Sequence, residues 1–171
     1  MAHVPLVVYI VVELGGVWVA VGAILLHRRD PSRRLYYFGL FIGSVMVLQL
    51  AEIGSAYCTI NQVSTAAWVS VAIRILYAAG ELLQFYVVIP LAFAVANLRM
   101  PARIRRLHLG LLLLYAAATG FLAATRSTFE LTHVALGAAH LAAVGIIWTN
   151  RHRITNPRIR LFVYQIGRAH V

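Results

Sequence analysis

The chain has 171 residues, 61% of them hydrophobic and only 12% charged, with a mean hydropathy of +0.81, a composition that excludes an ordinary soluble domain. A formal net charge of +10 would suit nucleic acid if it were spread over a folded surface. The arginines instead fall in short clusters between apolar runs, the pattern of cytoplasmic loops between membrane helices, which argues against a nucleic-acid partner and for the lipid bilayer.

The first apolar run, about Val4 to Leu26, is long enough at about 1.5 Å per residue to cross a hydrocarbon core of roughly 30 Å. No basic residue precedes it and no small-residue cleavage site follows, so it reads as a retained helix and not as a cleaved signal peptide. A basic turn from His27 to Arg34 comes next, with Asp30 placed to cap helix two and Pro31 to occupy its first position. Helix two covers about 35–57. The uncharged stretch Cys58 to Ser64 leads into a long helix three, about 65–97, capped by Ser64 and carrying Pro90 in its interior. A neighbouring helix can satisfy the carbonyl that a proline frees, so the span is expected to continue through it. Cys58 is the single cysteine, which excludes an internal disulfide.

A second basic loop, with Arg99, Pro101, Arg103, Arg105 and Arg106, precedes helix four at about 107–125. Ser127 and Glu130 have capping-box spacing at the start of helix five, about 128–149. The third basic loop (Arg151, His152, Arg153, Arg158, Arg160) surrounds Asn156-Pro157, a helix-start signal, and a sixth helix opens at about 158. Residues 165–171 are expected to be a non-native tail. The run Ile166-Gly167-Arg168-Ala169-His170-Val171 is the translation of ATC GGA AGA GCA CAC GTC, which resembles a common sequencing-library adapter, and the authentic sequence is expected to end near Tyr164. The fold expected is therefore all-α: a polytopic transmembrane helix bundle with five complete spans plus the start of a sixth.

Loop charge sets its orientation. The turns after helices one, three and five carry four arginines each, the turn after helix two none, and the turn after helix four Arg126 alone. Basic loops stay in the cytoplasm, so the N-terminus is expected outside, in a multi-pass membrane protein. Trp68 and Tyr57 at the outer edge, with Tyr36, Tyr37 and Trp148 at the inner edge, fit aromatic belts at the two interfaces.

The residues that could carry chemistry are the ionisable ones inside the spans: Glu13, Glu52, Arg74 and Glu81. Each costs at least roughly 2.5–3.5 kcal/mol at the centre of a membrane helix, so they are expected to face the bundle and find partners. Counting about 1.5 Å per residue from the outer boundary puts Glu13 at roughly 13 Å, Arg74 at roughly 10 Å and Glu52 at roughly 8 Å. Arg74 is thus expected to be the counter-ion of Glu13 or Glu52. Seven residues nearly complete two helical turns, so Arg74, Tyr77, Glu81 and Gln84 form a polar stripe on helix three, with a shorter one of Gln49 and Glu52 on helix two. Two readings stay open: a ligand-binding or proton-sensing pocket, and interhelical glue.

His133 and His140 share a face of helix five but sit about 10 Å apart, too far for one metal without other helices; core histidines hydrogen-bonded within the bundle are the preferred reading, with no metal and no cofactor. Gly15, Gly16, Gly22, Gly39 and Gly43 are expected to allow close helix approach. No nucleophile with a base and no phosphate-binding glycine loop appears, so nothing supports catalysis.

Three stretches carry a resemblance: Arg-Arg-Asp-Pro-Ser-Arg-Arg (28–34) leading directly into helix two, the long helix three with its mid-span proline and basic exit at Arg99 to Arg106, and Asn156-Pro157-Arg158-Ile159-Arg160-Leu161. Over nearly its whole length the chain resembles the N-terminal seven-helix sensor region of bacterial membrane histidine kinases, a region also found ahead of diguanylate cyclases. That resemblance implies a signal-input module for a small ligand, protons or membrane state, followed by two more spans and a cytoplasmic output domain. It implies a place in the bacterial inner membrane, a homodimer through the full-length protein, a response regulator reached only through the missing domain, and no enzymatic activity in this portion. The alternative is a small multi-pass transporter or channel in which the same charges line a path. A membrane haem protein using His133 and His140 is a third reading.

Overall fold

The computed structural model describes residues 3–29, 31–60, 67–125, 130–157 and 159–160. Among them every regular element is helical: α1 (His3–Arg29), α2 (Arg33–Ile60), α3 (Ala67–Val95), α4 (Ala102–Thr125) and α5 (Glu130–Thr149), followed by a single 3₁₀ turn at Arg151–Arg153. Three of the helices, α2, α3 and α5, contain stretches long and apolar enough to cross a membrane (Arg33–Cys58, Trp68–Val95 and Leu131–Thr149). The helices overrun several of the apolar runs read from the sequence. Arg28 and Arg29 extend α1, and Arg103, Arg105 and Arg106 lie in the first turns of α4. Long arginine stems are good helix formers that hold their charge in water while the backbone stays helical.

Helix ends are set locally. The cap of α2 is Ser32, whose Oγ accepts from the Leu35 N–H at 3.2 Å, and Pro31 lies outside the helix instead of at its first position. Asp30, expected to be that cap, lies outside the described residues. So do Ser64, the turn at 126–129 with Ser127, the side chain of Glu130, and the sixth helix and tail beyond Arg160. The exit from α3 has a clear chemistry: the Leu98 N–H bonds the Phe93 carbonyl at 2.8 Å and the Asn97 N–H bonds that of Ala94 at 3.1 Å, while Asn97 takes φ = 58°. This is a Schellman termination with asparagine in the left-handed position, and it ends the helix at Val95, two residues before the expected Asn97. Near the end of the described chain, Asn156 Oδ1 accepts from the Ile159 N–H at 3.3 Å, an N-cap arrangement with Pro157 next to it.

Helix α3 is the hub. It packs most extensively on α2 and also against α5 and α4, whereas α1 leans on α2. Among the described glycines the tightest approach to another helix lies at Gly80, where a Cβ would fall 2.8 Å from Leu48 Cγ and 3.1 Å from the Leu48 backbone nitrogen. Of the glycines expected to serve this purpose, Gly16 and Gly39 do meet neighbours (Met46 and Ala23), but Gly15, Gly22 and Gly43 face open space. Val88, Ala92 and Ala143 form the buried apolar contact between α3 and α5, flanked by Ile89, Ala139, Ile146 and Ile147.

Many outward-facing side chains are large and apolar: Leu113, Leu131 and Leu141 expose 72%, 75% and 75% of their surface. Apolar exposure on this scale is a surface for lipid and not for water. The three arginine-rich connections share one end of the bundle, because one guanidinium nitrogen of Arg34 reaches both Asn97 Oδ1 (3.3 Å) and Thr155 Oγ1 (3.5 Å).

Candidate functional site

Pro90 interrupts α3 and cannot donate to the carbonyl four residues earlier, that of Tyr86. His108, buried on α4, fills the gap: its Nε2 donates to the Tyr86 carbonyl oxygen at 3.0 Å. The imidazole lies face to face with Phe85 (centroids 5.9 Å apart, 11° between planes), and Phe85 stacks in turn on Tyr115 at 4.3 Å. A proline in α3 thereby organises an aromatic column that delivers the Tyr115 hydroxyl to the middle of the bundle.

What it meets there is Glu81. This residue is only 1% exposed, and its carboxyl draws partners from two further helices. The Tyr115 hydroxyl lies 3.2 Å from Glu81 Oε2 and 3.3 Å from the Thr132 carbonyl, so one proton is shared between two acceptors. From α5, His133 Nε2 approaches Glu81 Oε1 to 2.9 Å. That contact lacks hydrogen-bond alignment, so Oε1 has no hydrogen-bond partner among the described residues. The same Nε2 lies 2.8 Å from the Tyr77 hydroxyl. The Thr132 side chain also interacts with the carboxyl. A carboxylate buried in hydrocarbon is tolerable only when it is paired or hydrogen-bonded, and each of these contacts serves that need.

The two halves of this junction belong to two stripes that run side by side. Tyr77 faces His133, and one long step further the Gln84 amide nitrogen lies 3.5 Å from His140 Nε2. Partners in both pairs are 56 residues apart in sequence, so α3 and α5 run in the same direction and in constant register. His140 Nδ1 donates to the Leu136 carbonyl at 2.8 Å; that acceptor requires the proton on Nδ1 and leaves Nε2 to accept from Gln84. His133 and His140 therefore answer the polar stripe of α3. Among the described residues no group of three or more His, Cys, Asp or Glu side chains is placed to hold a metal ion.

The remaining expected residues are placed differently. Arg74 donates to the Leu122 carbonyl of α4 at 2.9 Å, so the α3 stripe divides, with Arg74 turned to α4, Tyr77 and Gln84 to α5, and Glu81 between the two. Glu52 is exposed on α2 and close enough to act electrostatically on the Tyr77 hydroxyl. Glu13 belongs to α1, but its side chain, and with it the expected pairing to Arg74, lies outside the described residues. Tyr115, Thr132 and His108 were not singled out from the sequence. Tyr115 had a usable signal, since a tyrosine in the middle of an apolar helix needs a partner for its hydroxyl. No family model, curated protein or solved structure matches this chain.

Proposed function

We propose that this chain is the membrane-embedded signal-input module of a bacterial histidine kinase or related cyclase, with Glu81 and His133 as its sensing pair. The observation that carries the reading is the Glu81 junction. A fully buried carboxyl on the hub helix is held by side chains of α4 and α5, while its imidazole partner is 49% exposed. A proton or a polar ligand arriving at His133 would change the tie between α3 and α5. A shift in helix packing is the currency in which such modules pass a signal to an output domain, by biasing two pre-existing arrangements.

Five complete spans are part of the proposal. Helices α1 and α4, of 27 and 24 residues, exceed a hydrocarbon core of roughly 30 Å at about 1.5 Å per residue. The clustering of the arginine-rich connections at one end supports a cytoplasmic placement for that end and an outside N-terminus, in the inner membrane. A homodimer, and a response regulator engaged through an output domain, belong to the same reading.

The test is to sequence the source gene past the codon for Tyr164 and, where an output domain follows, to assay Glu81→Gln in the full-length protein. The expected result is two further spans leading into a kinase or cyclase domain, with Glu81→Gln abolishing the response to stimulus and sparing basal output. A stop codon directly after the bundle would overturn this reading. The continuous row Tyr77, His133, Glu81, Tyr115 would then favour the second reading, a small transporter or channel with a proton-exchanging path.

A further inference from the structure

The arginine-rich end of the bundle contains a built cavity. A space of about 530 Å³ opens between the α1–α2 turn and the exit of α3, lined among others by His27, Arg33, Tyr36, Arg99 and Arg105. The guanidinium groups of Arg33, Arg99 and Arg105 have no hydrogen-bond or ion-pair partner among the described residues, whereas that of Arg34 beside them bonds Asn97 and Thr155. The nearest acidic residue in sequence is Asp30, and the other basic connections contain none. Three guanidinium groups without a partner among the described residues line one cavity, an arrangement suited to an anion.

The depth of the cavity says which anion. Arg33 opens one stretch long and apolar enough to cross a membrane and Arg99 stands four residues beyond Val95, the end of another, so in a bilayer spanned by these stretches the cavity would lie at headgroup depth. All 15 Lys+Arg positions of the chain are arginine, the side chain whose fork pairs two N–H groups with phosphate oxygens.

A second cavity adjoins the first and has the opposite character. It measures about 360 Å³ and runs into the membrane-facing part of α1 and α2, lined among others by Ala23, Ile24, Leu35, Gly39, Leu40 and Gly43. His27 and Tyr36 line both cavities. The imidazole of His27 is fixed there by donation from Nδ1 to the Ser32 carbonyl at 3.1 Å and by its contact with the Tyr36 ring. A cationic chamber at headgroup depth that continues into an apolar groove matches a molecule with a phosphate at one end and a hydrocarbon chain at the other.

We infer that this end of the bundle is a binding site for one anionic phospholipid, its phosphate held by Arg33, Arg99 and Arg105 and an acyl chain laid in the groove between α1 and α2. The site would join the α1–α2 turn to the exit of α3, and it stands independently of the sensor reading. Gly43 then has a use, because the open space in front of it is the groove itself.

The experiment uses the full chain, delipidated in neutral detergent, with phosphatidylglycerol, phosphatidylcholine and inorganic phosphate as probes and native mass spectrometry plus thermal unfolding as readouts. Phosphatidylglycerol is expected to bind at one copy per chain and to stabilise, with phosphatidylcholine and phosphate doing neither at equal concentration. A basic side chain near an anionic lipid surface contributes roughly a fivefold factor, so Arg33→Gln, Arg99→Gln and Arg105→Gln together should weaken binding on the order of a hundredfold. Gly43→Leu should weaken it by filling the groove without altering charge. Charge-matched substitution of Arg103, Arg151 and Arg153, which do not line the cavity, should leave it within about twofold, the additivity error for distant sites. Equal loss in that control, equal binding of phosphatidylcholine, or more than one indistinguishable lipid per chain would overturn the site. Protection by inorganic phosphate alone, unaffected by Gly43→Leu, would overturn the lipid and leave a free-anion site.

Discussion

The contact between His108 and the Tyr86 carbonyl makes a quantitative claim about how a proline is accommodated in a membrane helix. The perturbation is His108→Phe, which keeps a ring against Phe85 and removes only the Nε2 donor. An acceptor left without its partner costs about 1–3 kcal/mol in soluble proteins, while measured interhelical hydrogen bonds in membranes average about 0.6 and reach about 1.7 kcal/mol. The 3.0 Å length and the missing helical donor at Pro90 place this bond at the upper end of the membrane range, so about 1–1.7 kcal/mol is expected. The decisive step is the second background. Pro90→Ala restores a backbone N–H aimed at the same carbonyl, so His108→Phe should then cost at least about 1 kcal/mol less. The assay is reversible unfolding of the four variants in mixed micelles, followed by circular dichroism. Equal cost of His108→Phe in both backgrounds, within about 0.3–0.5 kcal/mol, would falsify the assignment of His108 as the surrogate donor.

Gly80→Ala drives a methyl group into Leu48 and its backbone nitrogen and should destabilise the bundle by about 1–3 kcal/mol in the same assay, whereas Gly43→Ala, facing open space, should be neutral or slightly stabilising. Similar effects at the two positions would contradict the close approach of α2 and α3. Asn97→Ala should cost about 1–2 kcal/mol because alanine pays for the left-handed backbone, and Asn97→Gly should lose less than Asn97→Ala, retaining the turn while giving up the Arg34 contact. Tyr115→Phe removes one shared proton from Glu81 and should cost about 1 kcal/mol, with a larger loss in Tyr115→Leu, where the Phe85 stack is lost as well; a neutral Tyr115→Phe would mean that the hydroxyl does not support the carboxyl.

Much of this architecture was legible without coordinates. Runs of apolar residues longer than the hydrocarbon core, separated by clusters of arginine, leave few alternatives to membrane helices. Backbone groups in lipid must be bonded within the segment, and charge must stay at the ends. The polar stripe of α3 and the histidine stripe of α5 were each visible through seven-residue spacing, because that spacing depends on helix geometry alone. Which stripe met which was not. Depth counting brings Arg74 near Glu13 and Glu52, but depth has no azimuth, and the Glu13 side chain lies outside the described residues. The choice of α4 and α5 as the partners of Glu81, of the Leu122 carbonyl as an acceptor for Arg74, and of His108 as the donor for a carbonyl 22 residues away was made by packing around α3. The fit at Gly80 and at the Phe85 column sets how α3 is rotated. Helices long and apolar enough to cross a membrane are thus a property of local sequence. The identity of the buried junction is a property of how five helices are turned about their own axes, and only their mutual contacts decide that.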